Sequence, residues 1–102
     1  MPYADPLTDD ELAAALGNLN GWKRDGPAIS RTVELSGFPA AIDFVNQVAV
    51  AAEAADHHPD ISIHGYRRVT LTLSTHAAKA ITRRDIDLAT EIDRLATSFE
   101  DA

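Results

Sequence analysis

The sequence predicts an α+β fold: a two-layer sandwich in which helices cover one face of a four-stranded antiparallel sheet, in the order α-β-β-α-β-β-α. Three observations carry that expectation. Ala28–Leu35 and Val69–Ser74 alternate apolar and polar residues with period two, the pattern of half-buried strands. Each alternating run follows a shorter strand-like run across a turn signal, Asp25-Gly26-Pro27 in one case and Gly65-Tyr66 in the other, so each reads as one arm of a hairpin. The segments before, between and after the hairpins change to helical spacing.

The first helix starts at Leu7-Thr8-Asp9-Asp10-Glu11-Leu12. Thr8 can cap, Glu11 three residues later can close a capping box, and the acids suit the positive end of the helix dipole. Leu7 and Leu12 stand at staple spacing, and the helix should fade near Gly17-Asn18, with Asn20-Gly21 marking a turn. Gly21-Trp22-Lys23-Arg24 is expected as a short strand. In its partner, Ile29, Arg31, Val33 and Leu35 share one face, while Ser30, Thr32 and Glu34 share the other. The middle helix is expected from about Phe38 to Asp56, with Phe38, Ile42, Val45, Ala49 and Ala52 as its apolar stripe and Ala41 and Val48 widening it. On that phase Glu53 lies beside the stripe and Asp56 within it, so both acids are expected to point toward the body of the protein. Pro59 forbids an ordinary continuation of the helix. Ile61–His64 and Val69–Ser74 form the second hairpin. A last helix begins near Thr82, which with Asp85 has capping-box spacing, and buries Ala89, Ile92, Leu95, Ala96 and Phe99.

At 102 residues, 45% of them hydrophobic and 25% charged, the chain suits one globular domain spanning 1–102. A net charge of −7, with only Arg67-Arg68 and Arg83-Arg84 adjacent among the basic residues, argues against a nucleic-acid partner, because phosphate binding needs a concentrated cationic face. The absence of cysteine removes disulfides, thiolate metal sites and a cysteine nucleophile. The acidic N-terminus, MPYADPLTDDEL, does not read as a signal peptide, and no apolar run approaches the roughly 18 residues of a membrane span. A cytoplasmic, membrane-free protein is expected.

Chemistry concentrates in the histidines. His57 and His58 end the middle helix, and His76 leaves the last strand. The strand after Pro59 runs away from the helix end and its partner returns, so the hairpin topology carries His76 back to the same neighbourhood. Glu53 sits one helical turn before the pair. A histidine at a helix C-terminus can simply complement the dipole, a loop histidine is ordinary, and Glu53 and Asp56 can be helix-edge acids. Three histidines and a carboxylate could also serve as zinc donors, yet adjacent histidines aim poorly at one ion and no His-x-x-x-His spacing accompanies them. Ser74 and His76 lack the strand-turn-helix elbow of a serine nucleophile, and no Gly-rich phosphate loop occurs. General acid–base chemistry remains, for which imidazole is the best-equipped side chain near neutral pH.

At these residues the chain resembles the pterin-4a-carbinolamine dehydratase family. The likeness rests on Glu53-Ala-Ala-Asp56-His57-His58-Pro59-Asp60, on Val69-Thr70-Leu71-Thr72-Leu73-Ser74-Thr75-His76, and on Arg84-Asp85-Ile86-Asp87-Leu88-Ala89. Gly21-Trp22 and the middle helix extend it to roughly Leu7–Phe99. The resemblance implies a dehydratase, a hydro-lyase that removes water from 4a-hydroxytetrahydropterin to give quinonoid dihydropterin in tetrahydropterin recycling. It implies catalysis by His57, His58 and His76, with Glu53, Asp56, Ser74, Thr75 and Asp85 binding or orienting the substrate. Neither metal nor cofactor is implied, because the leaving hydroxide needs only a proton. It further implies a homodimer or homotetramer, and an aromatic amino acid hydroxylase as a functional partner. The same fold also serves binding, regulatory and assembly proteins, a reading that the three histidines argue against. Between His58 and His76 the chain carries one residue more than the family's usual spacing, near Gly65, where a hairpin tip absorbs an insertion at little cost.

Overall fold

The order of elements is the predicted one: α1 (Asp9–Gly17), β1 (Lys23–Asp25), β2 (Ala28–Glu34), α2 (Phe38–Ala55), β3 (Asp60–His64), β4 (Arg68–Leu73) and α3 (Arg83–Glu100). The computed structural model describes residues 5–100, so Met1–Ala4 of the acidic N-terminal stretch and the last two residues lie outside the described residues. The four strands form one antiparallel sheet in the order β1-β2-β4-β3. Among the described residues no helix is long and apolar enough to cross a membrane.

Register makes the sheet two-faced. Ile29 opposes Leu73, Arg31 opposes Leu71 and Val33 opposes Val69, and all six are buried on the face under the helices. The alternate residues pair on the open face, where Ser30 opposes Thr72 and the Thr32 and Thr70 hydroxyls bond at 2.8 Å. One face of the alternation is therefore core and the other a field of hydroxyls. At the β3–β4 tip, Gly65 (φ 57) and Tyr66 (φ 56) both adopt left-handed conformations. A β-carbon on Gly65 would stand 2.9 Å from Arg68 Nη2, so this turn needs its glycine. Gly65, near which the resemblance put an additional residue, thus sits at the end of the hairpin remote from His58.

Helix α1 has the predicted capping box: the Glu11 amide donates to Thr8 Oγ1 and the Thr8 amide to Glu11 Oε1. The Thr8 amide, seconded by the Thr8 hydroxyl, holds the Glu11 carboxyl below the ordinary glutamate range.

Helix α2 departs from expectation in its phase. Ala41, Phe44, Val48 and Ala52 are buried, whereas Phe38 is 51% and Ile42 37% exposed and Ala49 is also exposed. The buried stripe is rotated by about 75° from the predicted one, at 100° per residue. Phe44 decides this: fully buried, it packs edge-on against Phe99 of α3, with ring centroids 5.5 Å apart. The same rotation turns Glu53 and Asp56 out to solvent, correcting the expectation that both point inward.

A polar cluster fastens the first hairpin to α3. Arg31, the one charged residue on the inner face of β2, donates to Asp93 Oδ1 at 2.6 Å and to Glu100 Oε1 at 2.9 Å. Asp93 also accepts the Trp22 indole N–H (2.7 Å) and the Asn20 amide (2.8 Å). No buried side-chain nitrogen or oxygen among the described residues lacks a partner.

Candidate active site

The site is built where α2 ends. Asp56 adopts a left-handed conformation (φ 50), and the amides of Asp56 and His57 bond back to Glu53 O and Ala52 O, a Schellman closure. Pro59 follows, then β3 starts at Asp60. The two histidines sit on non-helical backbone, where neighbouring side chains diverge, and they do so here.

His57 turns inward. Only 8% exposed, it bonds through Nε2 to Asp85 Oδ1 at 2.5 Å. Asp85 is completely buried at the N-terminus of α3 and also accepts the Thr82 amide (2.9 Å) and the Thr75 hydroxyl (3.0 Å). The Thr75 and Thr82 hydroxyls bond at 2.7 Å, and Thr82 Oγ1 accepts the Arg84 amide. Of the predicted capping box, the Asp85 half is present, its carboxylate accepting the Thr82 amide. The Thr82 hydroxyl accepts the Arg84 amide rather than that of Asp85, and the Asp85 carboxylate also grips His57. Read as an ionised acceptor, Asp85 fixes the proton of His57 on Nε2 and leaves Nδ1 as the free nitrogen.

His58 turns outward. It is exposed and bonds through Nε2 to Glu53 Oε1 at 2.8 Å. It lines a cleft of about 310 Å³ with His76, Asp60, Thr72, Ser74 and Lys79. His76 stands in the turn between β4 and α3, which is closed by the Thr75 amide on Ala80 O and the Lys79 amide on His76 O. The Ser74 hydroxyl donates to Pro27 O at 2.7 Å, tying the cleft wall to the first hairpin. His57 instead lines a second cleft of about 310 Å³ between α2 and α3, together with Arg84, Asp87 and Glu91.

The predicted residues therefore assemble in part. His58 and His76 share a cleft, with Glu53 behind His58 and Ser74 in the wall. His57, Thr75 and Asp85 form the adjoining buried network, so the three imidazoles do not open on one common cleft. Asp56 contributes through its backbone: its carbonyl accepts Arg84 Nη2 at 2.6 Å while its side chain lies in solvent. His64 is at the other end of β3, bonded to Thr70 Oγ1. Asp60, Lys79 and Arg84 were not anticipated as cleft residues. Asp60 could have been found from the alternation of β3, which puts it on the open face. Lys79 is placed only by how the 75–80 turn meets the first hairpin at Pro27, and Arg84 by how α3 meets the end of α2. Among the described residues no three His, Asp or Glu side chains group as metal ligands.

Comparison with known proteins agrees with the fold. Residues 5–95 match the family model described as pterin 4 alpha carbinolamine dehydratase. A Nocardia farcinica protein named "putative pterin-4-alpha-carbinolamine dehydratase" is 58% identical over 90 residues, covering 88% of this chain and 94% of its own. A Roseiflexus protein of the same name is 52% identical over 92 residues, 90% and 98% of the two chains. The crystal structure of a transcriptional coactivator/pterin dehydratase from Brucella melitensis superposes with a TM-score of 0.85 at 36% identity, covering 90% of this chain and 99% of that one. A pterin dehydratase-like RuBisCO assembly factor of the alpha-carboxysome shares the fold at 20% identity, with a TM-score of 0.63 over 76% of this chain and 90% of its own. The chain belongs to the pterin 4 alpha carbinolamine dehydratase family.

Proposed function

We propose that this member of the family dehydrates 4a-hydroxytetrahydropterins by histidine acid–base catalysis. The observation that carries the reading is the set of imidazoles and their backing: His57 on buried Asp85, His58 on Glu53, and His76 in the cleft beside His58. The substrate carries a hydroxyl on C4a and a proton on the adjacent N5. One imidazolium protonates the hydroxyl, the C4a–O bond breaks with its electron pair leaving in water, the N5 lone pair closes a C4a=N5 bond, and a neutral imidazole takes the N5 proton. The products are quinonoid dihydropterin and water, and the histidines exchange protonation states. A carboxylate behind an imidazole holds one nitrogen's proton, so that the other nitrogen can accept a proton and the charged ring is stabilised. His58 and His76 supply this chemistry from the cleft wall, while His57, which lines the neighbouring cleft, is held by Asp85 and positions the segment that carries His58. Glu53 and Asp85 orient rings; Ser74, Thr75 and Asp56 shape the segments that carry them.

The reading predicts that the protein accelerates formation of quinonoid dihydropterin from hydroxylase-generated carbinolamine, followed by its absorbance. A rate equal to that in buffer would overturn it. An aromatic amino acid hydroxylase is the enzyme class that would supply the substrate. The retained histidines and their carboxylates favour catalysis over a purely binding or assembly role. We also propose self-association: β1 and β3 leave sheet edges unpaired and α2 exposes Phe38, Ile42 and Val50. Light scattering that shows only monomer at micromolar concentration would refute it.

A further inference from the structure

The wall of the His58/His76 cleft contains a residue that the proposed reaction does not use. Lys79 has φ 52, in the left-handed region that favours glycine, yet it carries a long cationic side chain. Non-glycine residues persist in such conformations where the surrounding structure holds them, and they cluster at binding and active sites. Here the Thr75–Ala80 bonds close the turn, and Thr75 is itself anchored to Asp85. Lys79 has no ion-pair partner among the described residues.

Lys79 also belongs to a neighbouring cleft. Together with Pro27 it lines both the histidine cleft and a smaller hollow of about 180 Å³ that includes Arg24, Leu7, Leu12 and Ile81. Among the described residues no carboxylate lines the smaller hollow, whereas Asp60 lines the histidine cleft. Arg24 is bonded to Asp9, but with side-chain exposures of 51% and 90% that pair is a solvated surface contact and holds the guanidinium weakly. In a chain of net charge −7, two cations thus flank a hollow that continues directly from the histidines.

We propose that Lys79, with Arg24 beyond it, forms a subsite for an anionic group on the substrate's side chain, a phosphomonoester or a carboxylate. This rests on the pterin reading of the histidine cleft: the ring occupies that cleft and its substituent crosses Pro27 into the hollow. An ammonium on a flexible stem suits a phosphate or carboxylate as a point charge, and Arg24 adds a planar fork.

The test measures binding of three stable probes by fluorescence titration: 7,8-dihydroneopterin, its side-chain monophosphate, and 7,8-dihydrofolate with its glutamate carboxylates. Wild type is expected to bind at least one anionic probe on the order of tenfold more tightly than the uncharged one, with the preference shrinking as salt rises. Which anionic probe gains identifies the group. Lys79→Gly removes the ammonium and relieves the backbone, so it should fold at least as well and lose most of the preference; Lys79→Arg should keep it. Equal binding of all three probes by wild type, or a preference that survives in Lys79→Gly, would overturn the subsite. Turnover of an uncharged carbinolamine tests the dehydratase reading separately: turnover without anion preference leaves that reading intact and removes the subsite. Lysine-dependent preference without turnover keeps the subsite and removes the catalytic reading.

Discussion

Helix α3 turns a carboxylate inward in each half, Asp85 in its first turn and Asp93 just past its middle, and the two keep different company. Asp93 accepts from Arg31, Trp22 Nε1 and the Asn20 amide. None of these donors gives up its proton in the working range of a protein, so the cluster has one state. It ties β2, the turn before β1 and the second half of α3 into a fixed unit. Asp85 accepts from two fixed donors, the Thr82 amide and the Thr75 hydroxyl, and from one exchangeable one, the His57 ring. The same carboxylate chemistry therefore makes a staple in the second half of the helix and backs an exchangeable imidazole in its first turn. What differs is the partner: a guanidinium locks the pair, whereas an imidazole opening on a cleft leaves a nitrogen for chemistry.

The contrast predicts substitutions that separate rate from stability. His76→Ala, at an exposed turn position, should lower kcat/KM by about tenfold to several thousandfold, roughly 1.4 to 5 kcal/mol, while leaving stability within about 0.5 kcal/mol. His58→Ala should behave alike, and His64→Ala, bonded only to Thr70 on the open face, serves as the control with no change in either quantity. Wild-type kinetics in His76→Ala would remove it from the proposed machinery. Asp93→Ala should do the reverse. It strands a buried guanidinium and an indole N–H, and urea titration should show a loss of about 3 kcal/mol, the lower end for a broken buried ion pair because Glu100 keeps one hold on Arg31. That is a large part of the roughly 5–15 kcal/mol typical of a domain, yet kcat of the folded enzyme should be unchanged. A fall in kcat at full folding would erase the distinction between the two clusters.

Asp85→Asn should affect both quantities. An amide cannot accept all three donors without presenting its own N–H groups to some of them, a cost of about 1–3 kcal/mol. The loss of charge behind His57 should also reduce kcat/KM by about tenfold or more. Rescue of the rate but not of stability would reduce Asp85 to a helix cap. The smallest effect belongs to an exposed pair on the same helix, Glu91 with Arg94, whose guanidinium hydrogen bonds hold the Glu91 carboxyl below the ordinary glutamate range. A depressed folded-state pKa stabilises the fold above the unfolded chain's carboxylate pKa, and that contribution disappears as pH falls through the lower folded value. Glu91→Gln should thus cost less than about 1 kcal/mol near neutrality, solvent screening keeping it small, and nothing in strong acid or high salt. A deficit that persisted at low pH would have another cause than the ion pair.

The amino-acid sequence by itself determined the order of elements, both hairpins, the capping box of α1 and the position of the histidine pair at a helix end. Those features are local: period-two alternation, cap spacing and a proline after the pair act within a few residues of chain. The phase of α2 was not local. Phe38, Ile42, Val45, Ala49 and Ala52 and the observed Ala41, Phe44, Val48 and Ala52 are both acceptable helical stripes, and only the docking of Phe44 against Phe99 on α3 chose between them. That choice turned Glu53 and Asp56 to solvent and left Glu53 free to meet His58. The split of His57 from His58 depended on Asp85, 28 residues away, whereas the meeting of His58 with His76 follows from the hairpin topology that the sequence already showed. The alternation put Arg31 on the inner face of its strand, but its partner Asp93, 62 residues away, was supplied only by the fold. A buried charge must find its partner wherever the chain brings one, and that is decided by packing across the whole domain.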